Sequence, residues 1–286
     1  MTVAALLAAL LGMVIGSFLN VVIYRIPAGR SIVSPPSACG SCGARIRPYD
    51  NIPVLSWFLL HGECRDCRAR ISSRYPLVEL GTGVFFAIVT LWVISTGGVS
   101  ELLGADLAGS TVVSPLVVTA EFITLVAFLY LAAVSTALAM IDLDTHTLPN
   151  KIVLPAYPVA AVLLTTAALV AGEPGRLLSA LIGAAALFAL YLILAIISPG
   201  GMGLGDVKLA GLLGLYLGYL GWAPLIVGAF GAFLLGGAFG LVLMATRKAG
   251  RRSSIPFGPW MLLAAWLGIF FGDQIAVGYL RLFGLA

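Results

Sequence analysis

Long apolar stretches recur along this chain, and they constrain its fold more than any other feature. A helix crossing a bilayer core of about 30 Å needs roughly 20 mostly apolar residues, each rising about 1.5 Å. Stretches of that kind fall at 3–23, 76–97, 117–141, 152–171, 177–198, 207–220, 222–245 and 257–280. Hydrophobic residues make up 60% of the chain and charged ones only 10%, against about 25% charged in ordinary soluble domains. The mean hydropathy is +1.08. A soluble enzyme of usual make-up and a disordered chain are both excluded, and nothing points to nucleic acid as a partner. The predicted fold is an all-α polytopic membrane protein of about eight transmembrane helices.

The stretch 207–245 could be read as one helix, but its 39 residues would extend about 59 Å, nearly twice the apolar thickness. It is therefore split at Gly221-Trp-Ala-Pro224. Charge placement supports the split. Cytoplasmic loops collect Lys and Arg, and eight spans with the N-terminus outside put 14 of the 16 basic residues on the cytoplasmic side. Eight arginines lie between the first two spans, and Arg247, Lys248, Arg251 and Arg252 follow the seventh. The first span has no basic residue before Arg25, so it reads as an anchor and not as a cleaved signal peptide. The expected partition is a first helix at 1–23, a cytoplasmic four-cysteine domain at 24–75 and a membrane bundle at 76–286.

The polar segment between spans one and two carries Cys39-Gly-Ser-Cys42 and Cys64-Arg-Asp-Cys67, with 21 residues between the pairs. Two such knuckles match the zinc-ribbon pattern, in which four thiolates hold one tetrahedral ion. Disulfides are disfavoured in the cytoplasm, and a segment this small buries little core, so metal would supply its folding energy. Cys39, Cys42, Cys64 and Cys67 are the expected ligands of a closed, structural zinc site. Redox chemistry and idle thiols are the alternatives. Arg45, Arg65 and Arg68 stand near enough in sequence to offset thiolate charge.

Acidic residues near membrane spans are costly and mark functional sites. Asp142 and Asp144 end the third span, and Asp206 begins the sixth within Gly201-Met-Gly-Leu-Gly-Asp-Val-Lys208. The threading places both segments at the cytoplasmic level. Two carboxylates brought together can share a proton, one taking a proton from water while the other donates to a carbonyl. Gly203 and Gly205 would let a substrate backbone approach. Simpler readings stand beside this one: Asp206 as a helix cap, Asp142 and Asp144 as interfacial residues, Lys208 paired with an acid or a lipid phosphate. The Gly-rich runs at 200–205, 211–218 and 228–240 read as helix-packing surfaces.

Several motifs, in order, resemble those of the type IV prepilin peptidases, the bifunctional leader peptidase/N-methyltransferases of bacterial inner membranes. They are Gly16-Ser-Phe-Leu-Asn-Val-Val-Ile-Tyr-Arg-Ile-Pro27, Pro36-Ser-Ala-Cys39, Asp50-Asn-Ile-Pro-Val-Leu-Ser-Trp57, both cysteine pairs, and Ile71-Ser-Ser-Arg-Tyr-Pro-Leu-Val-Glu79. The later ones are Asp142 to Pro149, Gly203-Leu-Gly-Asp-Val-Lys208 and Ile255-Pro-Phe-Gly-Pro259. The resemblance implies an intramembrane aspartic protease of the GxGD type. Its first catalytic aspartate stands seven residues before a proline, which falls on Asp142 and leaves Asp144 second choice; the other falls on Asp206. Gly203, Gly205 and Lys208 would support the site. The implied substrates are prepilins and the pseudopilins of type II secretion, cut after a glycine where a short basic leader meets a hydrophobic helix. The four-cysteine domain is similar to that of members that also methylate the new amine with S-adenosylmethionine. No donor pocket can be assigned, although Gly16, Asn20 and Arg25 lie at the right level, and His146 has no implied role. A transporter with membrane-edge carboxylates and a zinc-ribbon docking module is the alternative from another class. A membrane scaffold is a third.

Overall fold

The computed structural model describes residues 1–97, 114–197, 202–246 and 256–284. The basic cluster at 247–252, Ile255, and Gly200 and Gly201 lie outside the described residues. The long helices are α1 (Thr2–Arg25), α3 (Arg74–Thr96), α4 (Pro115–Thr145), α5 (Asn150–Val170), α6 (Gly175–Ile197), α7 (Leu204–Leu220), α8 (Trp222–Ala245) and α9 (Gly258–Leu282). A short helix, α2 (Leu55–Leu59), follows a 3₁₀ turn at Pro48–Asp50 in the polar segment. Among the described residues there are no strands, only isolated bridges.

Seven of the eight long helices are long and apolar enough to cross a membrane. The remaining one, α7, has 17 residues, about 26 Å at 1.5 Å each, a little under a bilayer core. Nearly all its side chains from Val207 to Tyr219 are buried by other helices, so it need not match the lipid thickness. The division at Gly221 holds: α7 ends at Leu220 and α8 begins at Trp222. Gly221 has φ of 136°, a conformation that a residue with a Cβ rarely adopts.

The chain divides into two compact units. One comprises Met1–Ser114 and Leu125–Ala137, the other Pro115–Thr124 and Leu138–Ala286. In the first, α1 and α3 pack antiparallel at backbone distance. A Cβ built on Gly12 would lie 2.8 Å from the Gly83 Cα, and one on Gly16 would lie 2.7 Å from the Glu79 Cα. Asn20 donates to the Tyr75 carbonyl at 3.1 Å.

In the second unit, glycines again bring helices together. Gly183 of α6 meets Gly214 and Gly218 of α7, where any added Cβ would strike backbone. Gly228 of α8 meets Gly268 of α9, and Gly272 meets Pro224. The Gly214/Gly218 pair is thus a packing face. Of the pair Gly236 and Gly240, Gly236 lies against Phe257. The α5–α7 crossing is clipped by polar groups: the Tyr157 hydroxyl donates to the Lys208 carbonyl at 2.6 Å, and Lys208 Nζ donates to Asn150 Oδ1 at 3.0 Å.

Candidate active site and metal centre

The two knuckles of the polar segment fold alike. Gly43 N–H donates to the Cys39 carbonyl and Cys39 N–H to Ala44; Arg68 N–H donates to Cys64 and Cys64 N–H to Ala69. Each loop closes on a residue with positive φ just after its second cysteine, Gly43 at 73° and Arg68 at 57°. The repeated turn aims four sulfurs at one point. All four Sγ atoms lie within 4.8 Å of one another, and Cys39 and Cys67 are 3.8 Å apart. A tetrahedron of sulfurs about 2.3 Å from zinc has edges of about 3.8 Å, so the donor set fits the ion.

Electrostatics point the same way. Backbone N–H groups of Cys42 and Ser41 lower the Cys39 thiol to about 6. Cys67 receives a lowering bond from the Ala69 N–H, but the crowding thiols of Cys42, Cys64 and Cys39 and partial burial push it up to about 12. Metal binding to these thiols releases protons, because the ligands are thiolates. Charge pairs tie the knuckles together. Arg47 reaches Asp66 at 3.1 Å, and Arg65 grips Asp50 with Nε 2.9 Å from both carboxylate oxygens. Arg65, expected to offset thiolate charge, is thus committed to Asp50, whose carboxyl it holds below the usual range. Stability from that pair is present above the ordinary carboxyl range and lost as pH falls through the lowered value.

An L-residue in the left-handed conformation costs about 1–2 kcal/mol. Gly43→Val should therefore lower zinc affinity by about tenfold or more, whereas Arg68→Gly should raise it slightly. Chelator competition on the purified protein measures both.

The segment is latched to α3 by Glu79, whose Oε2 accepts the Val54 N–H at 2.6 Å. Val54 has φ of 62°, strained for a β-branched residue. The candidate donor-site residues all have structural occupations: Gly16 at the α1–α3 crossing, Asn20 on Tyr75, and Arg25 on the Ser31 carbonyl at 3.0 Å.

Asp142 lies in the last turn of α4 and is 4% exposed, the one buried carboxylate among the described residues. The C-terminal end of its own helix disfavours negative charge. It is met instead by the N-terminus of α9, where the Gly258 N–H donates to Asp142 Oδ2 at 3.0 Å. A Cβ on Gly258 would stand 2.7 Å from that oxygen, so only glycine permits the approach. Asp144 is exposed, because residues two apart on a helix point about 200° apart. His146 ends α4 in a left-handed turn, its N–H on the Asp142 carbonyl at 2.9 Å.

Asp206 is in the first turn of α7. Its Oδ2 accepts the Gly203 N–H at 3.0 Å, while its own N–H donates to the Gly203 carbonyl. Gly203 is the residue that precedes the helix, so Asp206 serves the cap from inside the first turn. Gly205 faces Leu148, a Cβ there falling 3.0 Å from the Leu148 Cβ. The same Leu148 side chain touches Gly258, which places one leucine between the glycines flanking the two acids. Asp142, through Gly258, and Asp206, beside Gly205, thus approach the same leucine. Lys208 turns away to Asn150.

Gly258 and Leu148 were not singled out from the sequence. Gly258 contributes only a backbone N–H, which no residue type advertises. Its setting within Ile255 to Pro259 was the available signal. Gly258→Ala should insert normally yet lose activity by about 100-fold, the scale of an ångström-sized misplacement; a kcat assay beside a measurement of membrane insertion checks this.

The fold is that of an all-helical protein with seven helices long and apolar enough to cross a membrane and a four-cysteine cluster that could hold a metal ion. Residues 10–93 match the bacterial peptidase A24 N-terminal domain and residues 129–241 the type IV leader peptidase family. The chain is 32% identical over 300 residues to a prepilin leader peptidase/N-methyltransferase of Stutzerimonas stutzeri, covering 96% of this chain and 93% of that protein. It is 30% identical to the corresponding protein of Neisseria gonorrhoeae, covering 94% and 91%. No solved structure matched the chain. The chain belongs to the type IV leader peptidase family.

Proposed function

We propose that this protein cleaves the leader from type IV prepilins or type II secretion pseudopilins, then methylates the newly exposed amine. Its relatives carry both activities in their name. The observation that carries the hydrolytic half is the convergence on Leu148 of Gly258, which holds Asp142, and Gly205, which precedes Asp206, with the two acids 64 residues apart in sequence at the ends of two helices in one compact unit. In this reading one carboxylate takes a proton from a water held between them as its oxygen attacks the scissile carbonyl. The other gives a proton to the carbonyl oxygen, and later transfer to the amide nitrogen releases the amine. The acid and base titrate as a pair. Gly203 and Gly205 shape the approach beside Asp206, and Lys208 supports it by clipping α7 to α5.

The proposed setting is the bacterial inner membrane, with the N-terminus outside and the four-cysteine segment cytoplasmic, where the 14 basic residues would gather. The proposed organisation is a helix at 1–23, a zinc-stapled domain at 24–75 and the protease bundle at 76–286. Zinc would be structural, since four protein ligands leave no open position. The methyl donor would be S-adenosylmethionine, with no residue assigned to it. Purified protein mixed with a prepilin in detergent tests the function: mass spectrometry should show a shortened chain and, with the donor added, one extra methyl on its new N-terminus. An unshortened prepilin would overturn the reading.

A further inference from the structure

Tyr191 of α6 is a large buried side chain, 2% exposed, for which the mechanism above has no use. Its height in the bundle follows from the antiparallel register of α6 and α7. Ser179 lies against Gly218, Gly183 against Gly214, and Phe188 against Gly211. One further turn brings Tyr191 level with Asp206 and Val207.

The ring is fixed from the other side. It packs on Phe233 of α8 at 5.3 Å between centroids and on Phe257 at 6.3 Å, and those two stand 5.7 Å apart. Phe257 directly precedes Gly258, the residue that holds Asp142. Below lies a narrow cavity lined by Leu187, Tyr191, Ala210, Leu213 and Met261 among others, in which Tyr191 is the only polar side chain. On α7, Asp206 heads the stripe that continues through Ala210 and Leu213. On α9, Gly258 heads the one that continues through Met261. Tyr191 thus lines the cavity together with residues of both stripes, along a wall that is otherwise apolar.

We propose that Tyr191 is a positioning residue of the two-aspartate site, its hydroxyl donating a hydrogen bond to Asp206 through one water and so fixing that carboxylate for proton transfer. This rests on the assignment of Asp142 and Asp206 as the reacting pair. The charged and titratable groups nearest the site among the described residues are Asp206 on α7, Asp142 on α4, and His146, whose N–H donates to the Asp142 carbonyl.

Tyr191→Phe keeps the ring and its aromatic contacts and removes only the oxygen. Cleavage of a prepilin in detergent should show kcat lowered roughly ten- to hundredfold, the range for a hydrogen bond to a charged group, with KM nearly unchanged. Loss of a donor to the ionised carboxylate should also move the acid limb of the kcat profile to higher pH. Phe233→Leu disturbs the same packing without touching the hydroxyl, and its pH profile should match the parent. A Tyr191→Phe protein with parental kcat and pH profile overturns the proposal, as does a Phe233→Leu protein that shifts the profile equally. Asp206→Asn in the same assay separates the two levels: if it is inactive while Tyr191→Phe is normal, only the tyrosine role fails. If Asp206→Asn cleaves normally, the aspartate assignment fails and the tyrosine role with it.

Discussion

Asp142→Asn and Asp206→Asn should each lower prepilin cleavage by about 10,000-fold while leaving insertion and folding intact. The magnitude follows from the way members of a catalytic unit behave: removal of one costs about as much as removal of most of the machinery. An asparagine keeps the shape and can still accept the Gly258 or Gly203 N–H, but it cannot take a proton from water. The double variant should therefore be scarcely worse than either single one, which a quantitative cleavage assay can check. Either variant should still methylate a pilin already shortened by the parent enzyme, because that reaction needs only the free amine. Cleavage at more than a few per cent of the parent rate in either variant would remove that aspartate from the mechanism.

Stripping zinc should do the opposite. From residue 24 to residue 75 the protein buries no hydrophobic side chain, so this segment lacks a core of its own, and its knuckles are held by hydrogen-bonded turns and the Arg47–Asp66 and Arg65–Asp50 pairs. Exposed pairs contribute about 0–1 kcal/mol each, whereas structural zinc binding supplies an apparent 10–16 kcal/mol or so at neutral pH. A strong chelator, or any one of Cys39, Cys42, Cys64 and Cys67 changed to serine, should unfold the segment and abolish methylation, with a smaller loss of cleavage. Elemental analysis should give one zinc per chain in the parent. Acid should release the ion, since protons compete for the thiolates as pH falls. A metal-free preparation with parental methylation would dismiss the structural role of zinc.

Much of the architecture was legible from residues alone, for a physical reason. Lipid leaves backbone groups no partner but their own helix, so stretches of roughly 20 apolar residues have one available structure. The observed ends lie within a few residues of those expected, such as Trp222–Ala245 for 222–245. Gly221 was readable as a break because Pro224 follows soon after and a single helix would overshoot the bilayer. The knuckles were readable because C-x-x-C spacing confines both sulfurs to one tight turn. By contrast, that Arg65 would turn to Asp50 and leave the thiolates could not be read, because local sequence does not say which of several charges an arginine meets.

The chain's own order of residues determined the spans, the break at Gly221, the two cysteine pairs and the two suspect carboxylates, because each depends on length, spacing or the cost of charge near lipid. Only tertiary packing decided which neighbours those carboxylates have. The α9 N-terminus arrives at Asp142, Leu148 wedges between Gly205 and Gly258, and the α6–α7 register lifts Tyr191 to the level of Asp206. Those contacts join residues up to 116 positions apart. They follow from glycine-lined crossings that set how closely and at what height the helices meet, which no single helix encodes.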